Sequence, residues 1–168
     1  MAVDARPVPV ASEREQSRAV YPDATGYVGP AGARSYFEVY GDGSPTILFA
    51  PTWSIVHSRI WKAQIPYFAR RNRVIALDPR GNGRSDRALD VAAYDEAAFA
   101  EDLIAVLDAT GTDQAIVVAL SIGAQRALIA ATDHPDRIAG LVIINPAVPL
   151  GSGPPDRQIR FEDELESD

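Results

Sequence analysis

Four short runs of apolar and β-branched residues, TILFA at 46–50, RVIAL at 73–77, AIVVAL at 115–120 and GLVIIN at 140–145, constrain this chain more than any other feature. AIVVAL and GLVIIN are apolar on both faces, as strands inside a parallel sheet must be, because helices cover both sides of such a sheet. Every gap between successive runs is long enough for a helix, which is βαβ spacing. Residues 95–110 give the clearest helix: Phe99, Leu103, Val106 and Leu107 fall at i, i+4, i+7 and i+8, and Gly111 stops it. Residues 122–134, IGAQRALIAATDH, form a second helix closed by Pro135. Between 57 and 71, Ile60, Trp61, Ile65 and Phe68 lie roughly on one helical face, and Pro66 is expected to break or kink that helix. Ahead of these, RSYFEVY at 34–40 alternates polar and apolar and stops at Gly41-Asp42-Gly43, a hairpin-type strand. The expectation is an α/β fold with a mainly parallel sheet.

Composition narrows the function classes. The 168 residues, 46% of them hydrophobic, are one domain's worth of sequence. Sixteen basic against twenty-three acidic residues give a formal charge of −7, which argues against a nucleic-acid partner needing a basic face. The absence of Cys excludes a disulfide scaffold, a Cys nucleophile and thiolate metal sites. Two histidines, His57 and His134, leave little room for a His-based metal site, so no metal or cofactor is expected. The start, MAVDARPVPVASEREQ, lacks an apolar core of the secretory kind, and no apolar run approaches a membrane span. A cytoplasmic protein with no membrane partner is the expectation. Residues 1–20 read as a flexible arm, 21–150 as the α/β domain, and 151–168 as an acidic tail holding six acids and two Arg.

Ser121 stands out by position, inside Ala119-Leu120-Ser121-Ile122-Gly123 between a buried strand and a helix. A sharp strand-to-helix turn strains its middle residue and needs small residues two positions either side, here Ala119 and Gly123. Such a turn aims the hydroxyl out of the carboxyl end of the sheet. It also sets the Ile122 N–H and the helix N-terminus where an oxyanion would develop. The competing use of such a Ser is to cap the following helix.

At these residues the sequence resembles the α/β-hydrolase family. The A-L-S-I-G elbow is joined by Pro51-Thr52-Trp53 after ILFA, where the family usually has His-Gly and an aromatic. Trp61, Gln64, Ile65 and Pro66 follow. The loop Asp78-Pro79-Arg80-Gly81-Asn82-Gly83-Arg84-Ser85-Asp86 is close to the family's D-x-R-G-x-G-x-S, and HPDRIAGLVIINPA at 134–147 looks like its approach to a sixth strand. The resemblance covers roughly residues 26–150. It implies about six strands in the order 1-2-4-3-5-6, helices on both faces, the elbow after strand 5, and a truncated hydrolase core. It further implies Ser121 as nucleophile, with the Ile122 and Trp53 backbone N–H groups as oxyanion donors. A Ser at the elbow disfavours the Asp-nucleophile haloalkane and epoxide chemistries.

A Ser hydroxyl attacks an acyl carbon only when a base takes its proton. The family's base is a His after an eighth strand and its acid usually follows a seventh; in this sequence the last strand is the sixth. Both groups are therefore expected to be missing and turnover by the chain alone to be impaired. His57 is the one candidate substitute, against its plainer reading as a polar residue opening a helix. His134 lies at the far end of the helix that starts beside Ser121, ~18 Å away at 1.5 Å per residue. Asp78 and Asp86 are expected to pair with Arg80, Arg84 or the loop backbone; Arg80, Arg84 and Arg87 could hold an anionic substrate, but a charged cluster in a loop is expected to be solvated. The loop lacks the third Gly of a dinucleotide fingerprint, because Asp86 stands there. Three readings stay open: a serine hydrolase of ester-like small-molecule acyl substrates, a non-catalytic binding module, or half of a split hydrolase. The strand at 140–145 is expected to be an open apolar edge, prone to self-association or to pairing with a complementing chain unless the 151–168 tail covers it.

Overall fold

A computed structural model of the chain describes residues 20–53 and 55–147. The expectations for the 1–20 arm, apart from Val20, and for the 151–168 tail lie outside the described residues.

Among the described residues the structure has six strands and three helices, with a helix in each gap between the four apolar runs. In chain order they are β1 (Ala24–Val28), β2 (Ser35–Tyr40), β3 (Ile47–Phe49), α1 (Gln64–Phe68), β4 (Val74–Leu77), α2 (Glu96–Ala109), β5 (Ala115–Leu120), α3 (Gly123–Asp133) and β6 (Ile138–Ile144). The sheet order is β1-β2-β4-β3-β5-β6, as the resemblance implies. β1, β2 and β4 pair antiparallel, whereas β4, β3, β5 and β6 run parallel, so the elbow and the loops after β3 and β4 share one edge.

Strand alternation sorts the core into two layers. Leu48, Ile75, Leu77, Val117 and Ala119 face α2 and α3, where they meet Leu103, Val106, Leu107, Ala127 and Ala130. Ile47, Phe49, Val74 and Ala76 face the other way, onto Trp61 and Ile65. Trp61 stacks on Phe49 with ring centroids 4.6 Å apart. This second layer thins toward β6. Val118 and Leu120 are only partly covered there, and Val142 and Ile144, their partners across the ladder, are 46% and 41% exposed.

Three differences from the sequence reading have physical causes. The helix expected over 57–71 is a single 3-10 turn, Ser58–Trp61, followed by α1, which begins two residues before Pro66. Pro66 thus sits in the first helical turn, where its missing N–H has no intrahelical partner to lose. β1 carries no apolar alternation; the register Ala24↔Val39 to Val28↔Ser35 makes it the hairpin partner of β2. β2 itself is buried on both faces, because its polar residues find partners inside. Ser35 Oγ donates to Asp102 at 2.6 Å, and the Glu38 carboxylate accepts from Tyr40 at 2.6 Å and from Arg59 at 3.0 Å. Burial, reinforced by the bond to Glu38, holds the Tyr40 hydroxyl above its ordinary range. Among the described residues no helix is long and apolar enough to cross a membrane.

Candidate active site

Ser121 occupies the joint between β5 and α3 with φ +56°, a backbone region that non-glycine residues rarely enter. The surrounding backbone over-determines this conformation. The Ser121 N–H donates to Ile144 O at 3.1 Å, and the Ser121 carbonyl accepts from Ala124 N–H and Ala147 N–H, each at 3.1 Å. The end of β6 therefore clamps the turn, helped by Asn145 at φ +43°. The Ser121 hydroxyl makes no hydrogen bond among the described residues, so it is not spent as a helix cap; α3 has none.

The small residues at the elbow have distinct reasons. Ala119 is fully buried in the core between the sheet and the helices. At Gly123 a Cβ would lie 2.7 Å from the Pro51 carbonyl oxygen, so only glycine lets the loop after β3 approach. Thr52 Oγ1 closes that approach by donating to Leu120 O at 2.9 Å. Residues 51–53 are thereby fixed beside the strand end that carries Ser121. Neither the Ile122 N–H nor the Trp53 N–H has a hydrogen-bond partner among the described residues. An oxyanion site needs backbone N–H groups left free of other partners.

The histidines bond other partners. His57 caps the Ser58–Trp61 turn, its Nδ1 accepting the Arg59 N–H at 3.2 Å. An Nδ1 that accepts leaves the proton on Nε2, so the ring as placed offers no free lone pair to Ser121. His134 is the residue after the last turn of α3 and bonds Glu101 through Nε2 at 3.0 Å. The structure packs Pro51 and Thr52 against Gly123 and Leu120, on either side of Ser121, and brings neither histidine into hydrogen-bond contact with Ser121 among the described residues.

The loop 78–86 is packed against the protein. Asp78 is buried and its two carboxylate oxygens accept the Ser58 and Arg84 N–H groups, each at 2.9 Å. Asp86 departs from expectation by pairing with Arg34, Nε to Oδ2 at 2.8 Å; the hydrogen bond from Arg34 holds its carboxyl below the usual carboxylate range. Arg80 is buried, not solvated, and grips Asp102 with Nε at 2.8 Å and Nη2 at 2.7 Å. Arg84 meets the Tyr36 hydroxyl at 2.7 Å, while Arg87 is exposed. Among the described residues no group of three or more His, Cys, Asp or Glu could hold a metal ion.

Sequence reasoning passed over one participant. Arg126 sends Nη1 to Thr52 O at 2.7 Å and to Pro51 O at 3.4 Å, and binds Glu96 through Nε at 2.7 Å and Nη2 at 3.1 Å. The signal was present in the period: Arg126 lies four residues before the inward-facing Ala130, on the buried side of α3.

A strained serine at a strand-to-helix turn, on a sheet ordered β1-β2-β4-β3-β5-β6, defines an α/β protein of hydrolase type. The chain belongs to the alpha/beta hydrolase fold family, whose model matches residues 45–165. A Variovorax paradoxus protein named as a carbamate hydrolase, RutD, is 37% identical over 113 residues, 66% of this chain and 41% of its own length. Epoxide hydrolase B of Mycobacterium tuberculosis is 43% identical over 86 residues, 51% of this chain and 24% of its own. The solved structure of Est816, described as an N-acyl homoserine lactone degrading enzyme, matches with TM-score 0.71 at 35% identity, over 83% of this chain and 53% of that one. The chain thus spans between 24% and 53% of the length of these relatives.

Proposed function

We propose that Ser121 is the nucleophile of a serine hydrolase acting on ester-like acyl substrates. Its hydroxyl oxygen adds to the acyl carbon, and the carbonyl oxygen becomes an oxyanion received by the Ile122 and Trp53 N–H groups. Collapse expels the leaving group with a proton and leaves an acyl-serine, which water then hydrolyses. The observation that carries this reading is the strained, unbonded Ser121 between β5 and α3. Among the relatives, the names of RutD and Est816 refer to a carbamate and to a lactone, which share an acyl carbon bearing a heteroatom leaving group. An epoxide has no carbonyl oxygen for the two N–H groups to receive, so the site favours the acyl class.

The sequence holds two histidines, and both are engaged away from Ser121. In this reading the base comes from further polypeptide docked along β6, where the apolar face of Val142 and Ile144 is open. The 168-residue chain alone is then expected to self-associate through that edge. A monomer in sedimentation velocity at tens of micromolar would contradict this.

Treatment of the purified chain with a fluorophosphonate, read by intact mass, tests the nucleophile. One slow adduct per chain, lost in Ser121→Ala, is expected, because an oxyanion site without its full triad keeps part of its rate. A folded chain that forms no adduct overturns the reading and favours a binding module in which the elbow is retained for shape alone.

A further inference from the structure

The role of Ser121 leaves one costly feature unexplained: a guanidinium buried on the helix behind it. Arg126 is 1% exposed and is the largest fully buried side chain among the described residues. Its neighbours on the inward side of α3 are Ala124, Ala127 and Ala130, so an apolar residue would pack there without having to be paired. Long helical side chains lean toward the helix N-terminus, and Arg126 does so, reaching back past Gly123 to the loop after β3. Glu96, at the start of α2, holds the guanidinium with two bonds, and the Phe99 ring lies 3.9 Å beneath it. The remaining arm is spent on the backbone carbonyls of Thr52 and Pro51.

Thr52 O is not an arbitrary acceptor. It belongs to the same planar, trans peptide as the Trp53 N–H, so fixing the oxygen fixes the direction of the hydrogen on the opposite side. A cation bonded to that oxygen also draws electron density from the amide and makes its N–H a stronger donor. Thr52 Oγ1, bonded to Leu120 O, stops the peptide from rotating about its neighbours. We propose that Arg126 is a positioning residue that aims and polarises the Thr52–Trp53 peptide for the oxyanion, with Glu96 locking the guanidinium in place. The inference rests on the reading of Ser121 as the nucleophile. It extends that reading to a residue that touches no substrate.

The absence of Cys allows a test that needs no catalytic base. Ser121→Cys places a single thiol at the elbow. Its thiolate can add to the acyl carbon of p-nitrophenyl acetate, forming an oxyanion that collapses to a thioester and p-nitrophenolate. It can also displace iodide from iodoacetamide at a saturated carbon, where no oxyanion develops. The ratio of the two rate constants cancels thiol acidity and access, and reads the oxyanion site. For Ser121→Cys the ratio is expected to exceed that of N-acetylcysteine. Adding Arg126→Met is expected to lower acylation about tenfold or more with alkylation unchanged. Arg126→Lys, which keeps a charged donor, should recover part of the loss, and Glu96→Gln should lose less than Arg126→Met. An unchanged ratio in folded Arg126→Met overturns the positioning role and leaves the oxyanion reading standing. A Ser121→Cys ratio no higher than that of N-acetylcysteine overturns both. Should Arg126→Met fail to fold, unchanged ratios in both Arg126→Lys and Glu96→Gln overturn the proposal.

Discussion

Two loops leave the same edge of the sheet, and they treat their polar groups in opposite ways. The loop 78–86, after β4, spends its polar groups on bonds within itself and to the protein around it. Both Asp78 carboxylate oxygens take backbone N–H groups, Ser85 Oγ donates to Asp78 O and accepts the Tyr36 N–H, and Arg80 is consumed by Asp102. Glycines at 81 and 83 supply its two positive-φ positions, so its turns carry no steric penalty. The elbow and the 51–53 loop do the reverse. A serine takes the positive φ, and its hydroxyl and the Ile122 and Trp53 N–H groups have no hydrogen-bond partner among the described residues. Yet no buried side-chain polar atom among those residues lacks a hydrogen bond. Unbonded donors and backbone strain thus meet at the elbow, which is why the reactive role is proposed there, whereas the motif richest in charge serves as scaffold.

The largest effect is expected on the scaffold side. Arg80→Met leaves the buried Asp102 carboxylate without its cation and should cost about 3–5 kcal/mol of stability. Denaturant unfolding checks this, and fluorophosphonate adduct formation per folded molecule should stay at the parent rate. A stable variant that loses the adduct would place Arg80 in the site instead of beneath it. Substitution on the elbow side should act oppositely, with a smaller change in stability and a complete change in reactivity.

How far the sequence alone carries depends on where each element finds its partners. AIVVAL and β5 coincide, because a run of apolar and β-branched residues has an unmistakable composition, even though only the Ala115, Val117 and Ala119 face is fully buried and Ile116, Val118 and Leu120 are partly covered. The elbow was legible for a related reason: Ser121 with Ala119 and Gly123 between a strand and a helix leaves few local conformations. Gly123 is explained only by the Pro51 carbonyl 2.7 Å away, a contact across 72 residues that no local pattern encodes. β1 was illegible because ATGYV has no apolar period and is a strand only through its ladder to β2. The partner of Asp86 is hidden for the same reason: the sequence points to Arg80, Arg84 or the loop backbone, and Arg34 reaches it from the turn before β2. Arg126 and Glu96 sit on different helices, 30 residues apart, and their pairing appears only when α2 and α3 pack side by side.

If Ser121 is held strained for reactivity and not for packing, the melting temperature of Ser121→Gly should rise. Glycine adopts φ +56° without the steric penalty a serine pays, and the hydroxyl it removes makes no bond among the described residues. Relief of about 1 kcal/mol should raise the melting temperature by ~2–4 °C, while the fluorophosphonate adduct disappears. A Ser121→Gly chain that melts at or below the parent would contradict the account, because the serine would then be stabilising the turn it occupies.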